Sequence, residues 1–289
     1  MNKKKLGIVI DSTIGSYLDK SIFPYFEIDV VPISIIADNR TFLDSEFNNE
    51  LMMSYLKEGK EITTSQPNPQ LFLKSFKKQL ELGCEHIFCL TLSKKLSGTF
   101  YSAQKAQKLL NVKNITVLDT DSIGPGMFFS LKKIYEYFTS SNFSYDEIFQ
   151  KVTEIQKQNS ILFVLDDLKQ LSVNNRINRF QMFIGSLFKI KPILRMNQGV
   201  ISIEKKVRSI NNCIRYLVEY ILNFRNKQKN GFIEVNIIYV YDDIYAQQLK
   251  KEIQKLNCSK IKISMYGQVS TVIAIHLRSK AFGFYLNRI

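Results

Sequence analysis

Tryptophan is absent from this 289-residue chain, and proline (6), cysteine (4) and histidine (2) are scarce. Each shortage excludes something. The cysteines, Cys84, Cys89, Cys213 and Cys258, form no C-x-x-C pair, so neither a disulfide scaffold nor a thiolate zinc ribbon is on offer. Cys84 and Cys89 flank His86, but the segment alternates like a buried strand and would send these side chains to different faces. Reduced structural thiols follow, with no metal and no cofactor expected. No apolar run approaches the length of a membrane span. Behind the basic start Met1-Asn-Lys-Lys-Lys5, the apolar run Leu6–Ile10 stops at Asp11, too short for a secretory signal core, so a cytoplasmic protein is expected. The phosphate loop G-x-x-x-x-G-K-[ST] is also missing, which argues against nucleotide hydrolysis by this chain.

What remains is 45% hydrophobic and 23% charged, the composition of a folded globular protein. Its length favours two cores over one. The formal charge is +14, but the lysines are dispersed among Asn and Gln without a long basic run. That pattern describes a solvated positive surface, compatible with passing contact with a membrane surface, and no nucleic-acid partner is expected. Aromatic content is high, with 21 Phe and 14 Tyr, much of it in Phe180–Phe188 and Gly126–Ser130. Ordinary cores can absorb these residues; an apolar slot between two domains is the alternative.

In the first half, apolar runs at Leu6–Ile10, Val30–Ile36, Glu85–Leu92 and Ile115–Leu118 alternate with helical patterns. Pro32 marks the second run as an edge strand or an irregular one. Asn68 and Pro69 open one helix that stops at Gly83, and a second runs from Gly98–Thr99 to about Leu110. Continuous apolar strands alternating with helices predict a parallel α/β sheet covered on both faces. In the second half, Ile161–Leu165 predicts a strand, Arg176–Phe188 a helix, and Ile190–Met196 with Val200–Ile203 a hairpin turning at Asn197-Gln-Gly199. A helix is expected from Val207 to Phe224 and another over Ile244–Leu256, with strands at Ile233–Tyr241, Ile261–Met265 and Thr271–His276. The expected fold is therefore α/β in two domains, 1–158 with a parallel sheet and 159–289 with a mixed one.

In such sheets ligands bind beyond the carboxyl ends of the strands. Asp11-Ser-Thr13, Ser93 through Ser97-Gly98-Thr99, and Asp119-Thr-Asp-Ser122 fall there, and Thr63-Thr64-Ser65 leads into the Asn68-capped helix. Hydroxyls and amides at helix starts suit a carboxylate, and Gly98 would let an anion approach the backbone. Simple self-capping is the competing explanation at each position. A serine hydrolase is a second chemistry, with Ser97 as nucleophile, His276 as base and Asp11 or Asp119 as orienter, although Lys95-Leu-Ser-Gly-Thr99 lacks the first glycine of G-x-S-x-G.

Thr63-Thr-Ser-Gln-Pro-Asn-Pro69 and Leu96-Ser-Gly-Thr-Phe-Tyr-Ser-Ala103 resemble the two signature segments of the DegV family. The resemblance continues through Asp11-Ser-Thr13, Val31-Pro32, Asp119-Thr-Asp-Ser122, Asp167-Leu168, Gly185–Leu194 and Lys206-Val-Arg208. It implies a two-domain α/β fold enclosing a long-chain fatty acid between the domains, without catalysis of its own. It also implies a partner, the ATP-binding subunit of a fatty acid kinase, which converts the presented carboxyl to an acyl phosphate for phospholipid synthesis. By resemblance the carboxylate is held at Thr63, Thr64, Ser97, Gly98 and His276, and Arg176 engages the kinase. The chain departs from the family pattern twice. Asn174-Asn175-Arg176-Ile177 replaces Gly-Gly-Arg-Ile, and His276-Leu-Arg-Ser-Lys-Ala281 replaces His-x-Gly-Pro-Gly-Ala, adding the cations Arg278 and Lys280.

Overall fold

A computed structural model of the chain describes residues 5–140, 142–165, 190–227, 231–277 and 280–288. They divide into two compact units, one reaching to Gln156 and including Ser270–Ile275, the other holding Lys157–Val269 and the chain from His276 on.

The first unit is built on strands β1 (Leu6–Asp11), β2 (Phe26–Val31), β3 (Ser34–Ala37), β4 (Arg40–Leu43), β5 (Ile62–Ser65), β6 (His86–Thr91) and β7 (Ile115–Asp119). Helices α1 (Asn49–Lys57), α2 (Pro69–Glu81), α3 (Thr99–Leu110), α4 (Pro125–Ser140) and α5 (Tyr145–Gln156) join them. The main sheet has the order β2-β1-β6-β7, all parallel. Every residue of β1 and β6 is buried, as their unbroken apolar sequences require, whereas the edge strands β2 and β7 are only partly covered. Helices α2 and α3 cover one face through Phe72, Phe76, Ala103 and Ala106, packed on Val9, Ile87 and Cys89. Elsewhere in this unit Phe23, Phe26 and Phe128 form an aromatic cluster with Tyr135 of α4, so Phe128 of the Gly126–Ser130 segment is a packing residue.

Pro32 has a larger effect than an irregular strand start. It ends the run predicted over Val30–Ile36 and divides it between two sheets, because β3 pairs antiparallel with β4 and β5 in a separate three-stranded sheet. The sequence pattern did not forecast that small sheet. Its hairpin turns on Asp38-Asn39, two polar residues that both hold positive φ.

The second unit contains β8 (Ser160–Val164), β9 (Lys191–Asn197), β10 (Val200–Val207), α6 (Ile210–Asn226), β11 (Ile233–Tyr239), α7 (Ile244–Lys255), β12 (Ile261–Gln268), α8 (Thr271–Leu277) and β13 (Phe282–Arg288). Of these, α8 has its Thr271–Ile275 portion in the first unit. The six strands follow the order β10-β9-β8-β13-β11-β12. Only β11 and β12 pair in parallel, so the sheet is mixed. The predicted β9–β10 hairpin turns at Gln198-Gly199, with φ of 46° and 75°, the mirror-image turn that matches strand twist. Helices α6 and α7 close one face through Leu217, Ile221 and Leu249.

Two expectations are corrected here. The helix expected from Val207 begins at Ile210, because β10 runs on to pair Val207 with Lys191, and Ser209 then caps the helix by accepting from the Asn212 amide. Thr271–His276, read as a strand, is the helix α8. Its β-branched, unbroken apolar run is buried from Val272 to Ile275, and such short runs look alike as strand or buried helix. The last strand of the sheet is instead Phe282–Arg288. The helix expected over Arg176–Phe188 lies outside the described residues.

All four cysteines are unbridged, and among the described residues no group of three or more His, Cys, Asp or Glu could hold a metal ion. No described helix is long and apolar enough to cross a membrane.

Candidate functional site

The parallel sheet reverses its winding at β1, with β2 on one side and β6 on the other. Polar side chains gather at the carboxyl ends of these strands, where that reversal opens a crevice. Asp11 ends β1 and is wholly buried. Its Oδ1 accepts from the Thr13 amide (3.0 Å) and the Thr13 hydroxyl (2.5 Å), and its Oδ2 accepts from the Leu92 amide (2.6 Å) just beyond β6. Burial outweighs these donors and pushes its carboxyl up to about 6. Ser12 Oγ accepts from the Ile33 amide at 2.9 Å and bonds to the side chain of Asp44, a second carboxyl raised by burial. These residues therefore fasten the strand ends together. Asp119, ending β7, accepts from the amides of Lys94 (3.3 Å) and Asp121 (3.0 Å) and pairs with the Lys94 ammonium at 3.5 Å. Asp11 and Asp119 thus restrain loop amides, a role unlike orienting a catalytic base.

The loop from β6 to α3 folds on Ser93, whose carbonyl accepts from the Leu96 and Ser97 amides. Ser97 Oγ shares a hydrogen bond with Thr99 Oγ1 at 2.8 Å and accepts a long one from the Thr99 amide at 3.3 Å. Gly98 occupies the N-cap position of α3, so this helix has no side-chain cap at its first residue. Its backbone is ordinary, with φ −75°. Gln66 lies against it: a Cβ at position 98 would come within 1.7 Å of Gln66 Oε1, so any larger residue there must displace that side chain. The same amide donates from Nε2 to Ser102 Oγ at 3.0 Å. Gln66 therefore clamps the segment that follows β5 onto the first turn of α3, and the two signature segments meet through it. Nothing in the spacing of either segment announces this contact.

Strand β5 carries Thr63 and Thr64, and alternation sends their side chains to opposite faces, Thr63 exposed and Thr64 buried. The α2 start that follows is closed, since Asn68 Oδ1 accepts from the Gln70 amide at 3.0 Å and Pro69 has no amide hydrogen to satisfy. His276 is in the last turn of α8 and partly exposed. Lys280, one of the two added cations, holds a positive φ of 55° and lies 4.0 Å from Asp242. Arg278, Arg176 and the Asn174-Asn175 pair lie outside the described residues. The other histidine, His86, starts β6 stacked on Tyr145 and bonded to Thr116 Oγ1 at 2.9 Å, with burial holding its imidazole down to about 4. It is a packing residue.

Comparison with known proteins places these features in context. A family model described as "Uncharacterised protein, DegV family COG1307" matches residues 5–288. A DegV domain-containing protein of Listeria innocua is 30% identical over 285 residues, covering 97% of each chain. Another, from Listeria monocytogenes, is 31% identical over 287 residues, again 97% of each. Among solved structures, a fatty-acid-binding DegV family protein of Thermus thermophilus superposes with a TM-score of 0.88 at 22% identity, over 99% of this chain and 100% of its own. DegV of Bacillus subtilis, described as a fatty acid binding protein, has a TM-score of 0.82 at 25% identity, with 99% and 100% covered.

Proposed function

The chain belongs to the DegV family, and from that premise we propose that it binds a long-chain fatty acid and presents the carboxylate to a separate ATP-dependent kinase subunit. The observation that carries this reading is the start of α3, which has no side-chain cap of its own, stands beside the Ser97 hydroxyl and is clamped to the Thr63–Thr64 segment by Gln66. A carboxylate there meets a partial positive charge and neutral donors, and its hydrogen bonds are charge-assisted. Ser97, Gly98 and Thr63 are the proposed carboxylate ligands; the resemblance adds Thr64, whose side chain lies on the other face of β5 from Thr63, and His276. The fatty-acid-binding proteins of the same fold from Thermus thermophilus and Bacillus subtilis support the choice of ligand. A 16-carbon tail contributes on the order of 10 kcal/mol gross when its methylenes leave water, at about 0.8 kcal/mol each.

The chain itself contributes binding and orientation. A carboxylate oxygen held by hydroxyls, with one lone pair left outward, attacks the γ-phosphorus of ATP on the kinase. The bond from that phosphorus to the β–γ bridging oxygen breaks, leaving ADP and an acyl phosphate. ATP and its magnesium belong to the partner, and Arg176 is the proposed contact to it.

Mass spectrometry of small molecules released by denaturing the purified protein tests the ligand. A stoichiometric fatty acid is expected, with the doubly substituted Thr63→Ala, Ser97→Ala protein emptied while still folded. A protein that carries no fatty acid and takes up none when it is added would refute the reading. Arg176→Ala should keep the lipid and lose acyl phosphate formation when kinase and ATP are supplied.

A further inference from the structure

The second unit has a cleft of about 460 Å³ between the end of β10 and the first turns of α6. Four cations line it, Lys205, Lys206, Arg208 and Arg215, with Asn212 and a single carboxylate, Glu219. Local structure explains how they come together. A β-bulge makes Glu204 the extra residue of β10, since Ile203 faces Leu194 and Lys205 already faces Ile193. The displaced Glu204 accepts from the Tyr216 hydroxyl at 2.8 Å and faces Arg195 at 3.7 Å, tying the strand to α6. Lys205 then sits with its ammonium 4.3 Å from the centre of the Tyr216 ring. On the helix, Arg215 is steadied by Asn212 Oδ1 at 2.9 Å.

Lysines on β10 alone would need no ligand to explain them, because β10 is an edge strand and charge there blocks unwanted pairing. Edge protection does not account for Arg215 and Asn212, which reach the same cleft from the helix. Nor does it account for Arg208, which lies past the end of β10, beside the Ser209 that caps α6. Two arginines, two lysines and Asn212, brought from both the strand and the helix, converge on a cleft large enough for a small esterified phosphate. We propose that this cleft is a binding site for a phosphate monoester group, with Arg208 and Arg215 as its principal donors and the two lysines as supporting charge. Guanidinium forks match phosphate oxygens in pairs, and the nearly double negative charge of a phosphate monoester suits four converging cations better than the single charge of a carboxylate. The cleft is assembled from residues of the second unit alone, so this site does not depend on the fatty-acid reading and can fail separately from it.

The test uses the full chain and two probes, glycerol 3-phosphate in solution and phosphatidylcholine vesicles with and without phosphatidic acid. ¹⁵N NMR titration with glycerol 3-phosphate should give saturable shifts at Arg208, Asn212 and Arg215. Co-sedimentation should require phosphatidic acid in the vesicles. The Arg208→Gln, Arg215→Gln protein should lose at least about tenfold in affinity for whichever probe binds, as charge-assisted bonds predict. Lys74→Gln, Lys77→Gln removes the same charge from the exposed side of α2 and should leave binding unchanged. Binding of the soluble probe identifies a free phosphate ligand, and binding confined to vesicles identifies a lipid headgroup. Binding of neither probe overturns the proposal. So does an equal loss in the Lys74, Lys77 control, which would reduce the cleft to general surface charge. Retained melting temperature and fatty acid content in every variant separate these outcomes from misfolding and from failure of the lipid site.

Discussion

The two helix starts of the first unit look alike as sequence and differ as structure. Both α2 and α3 open after small polar residues, and both were candidates for an anion site. At α2 the Asn68 side chain turns back on its own helix to the Gln70 amide, and Pro69 removes one donor altogether. At α3 the N-cap is Gly98, which has nothing to turn back, and Ser97 Oγ shares a 2.8 Å bond with the Thr99 hydroxyl while accepting only a 3.3 Å bond from its amide. One helix start is closed by its own N-cap side chain, and the other has no side-chain bond from its N-cap residue. A polar residue before a helix is thus weak evidence of binding until one knows whose amide it serves.

Acidity should separate the two starts most strongly. The lead-in to α3 is held by Asp11 through the Leu92 amide, whereas the cap of α2 is an amide side chain that does not titrate. Asp11 is raised from an ordinary 3.8 to about 6, so the folded state binds its proton more tightly than the unfolded chain does. Its stabilising contribution is complete below about pH 4 and disappears as pH rises through 6, on the order of 3 kcal/mol in all. His86, lowered from 6.5 to about 4, works in the opposite sense, adding stability above 6.5 that is lost as pH falls towards 4. The two slopes nearly cancel between pH 4 and 6. Denaturant unfolding of His86→Phe should therefore expose a loss of stability with rising pH, and Asp11→Asn a gain. Parallel profiles for both variants would show that neither group titrates as described.

Gly98→Ala is expected to have the next largest effect. The new methyl group collides with the end of the Gln66 side chain and swings it off Ser102, losing that hydrogen bond at a cost of about 1 kcal/mol and loosening the fatty acid site by about five- to tenfold. Gln66→Ala in the same chain should add no further loss, because that hydrogen bond is already broken. Displacement of a fluorescent fatty acid and thermal melting would read both effects, and a Gly98→Ala protein with unchanged affinity would remove Gln66 from the account.

The sharpest contrast comes from single deletions at the two starts. Ser97→Ala should weaken fatty acid binding about tenfold and change unfolding free energy little, since its own backbone bond is long. Asn68→Ala should do the reverse, costing about 1 kcal/mol of stability for the lost cap while affinity stays the same. If Asn68→Ala empties the protein of lipid as readily as Ser97→Ala, the two helix starts are equivalent and the comparison fails.

Elements whose physics is local were legible in the residues alone. Unbroken apolar runs made β1 and β6 buried parallel strands, Asn68-Pro69 began α2, and Gln198-Gly199 turned the β9–β10 hairpin, because each depends on neighbouring residues alone. The two signature segments were equally legible as anion-binding candidates. Tertiary structure decided the rest. It made Thr271–Leu277 a helix, since a short apolar run buried on every side carries no period to distinguish helix from strand. It gave the residues on either side of Pro32 to different sheets, and it brought the two signature segments together. The N-cap residues Asn68 and Gly98 set the difference between the two helix starts locally, whereas Gln66 reaching Gly98 and Ser102, 32 and 36 positions away, is a contact that only the packed chain can make.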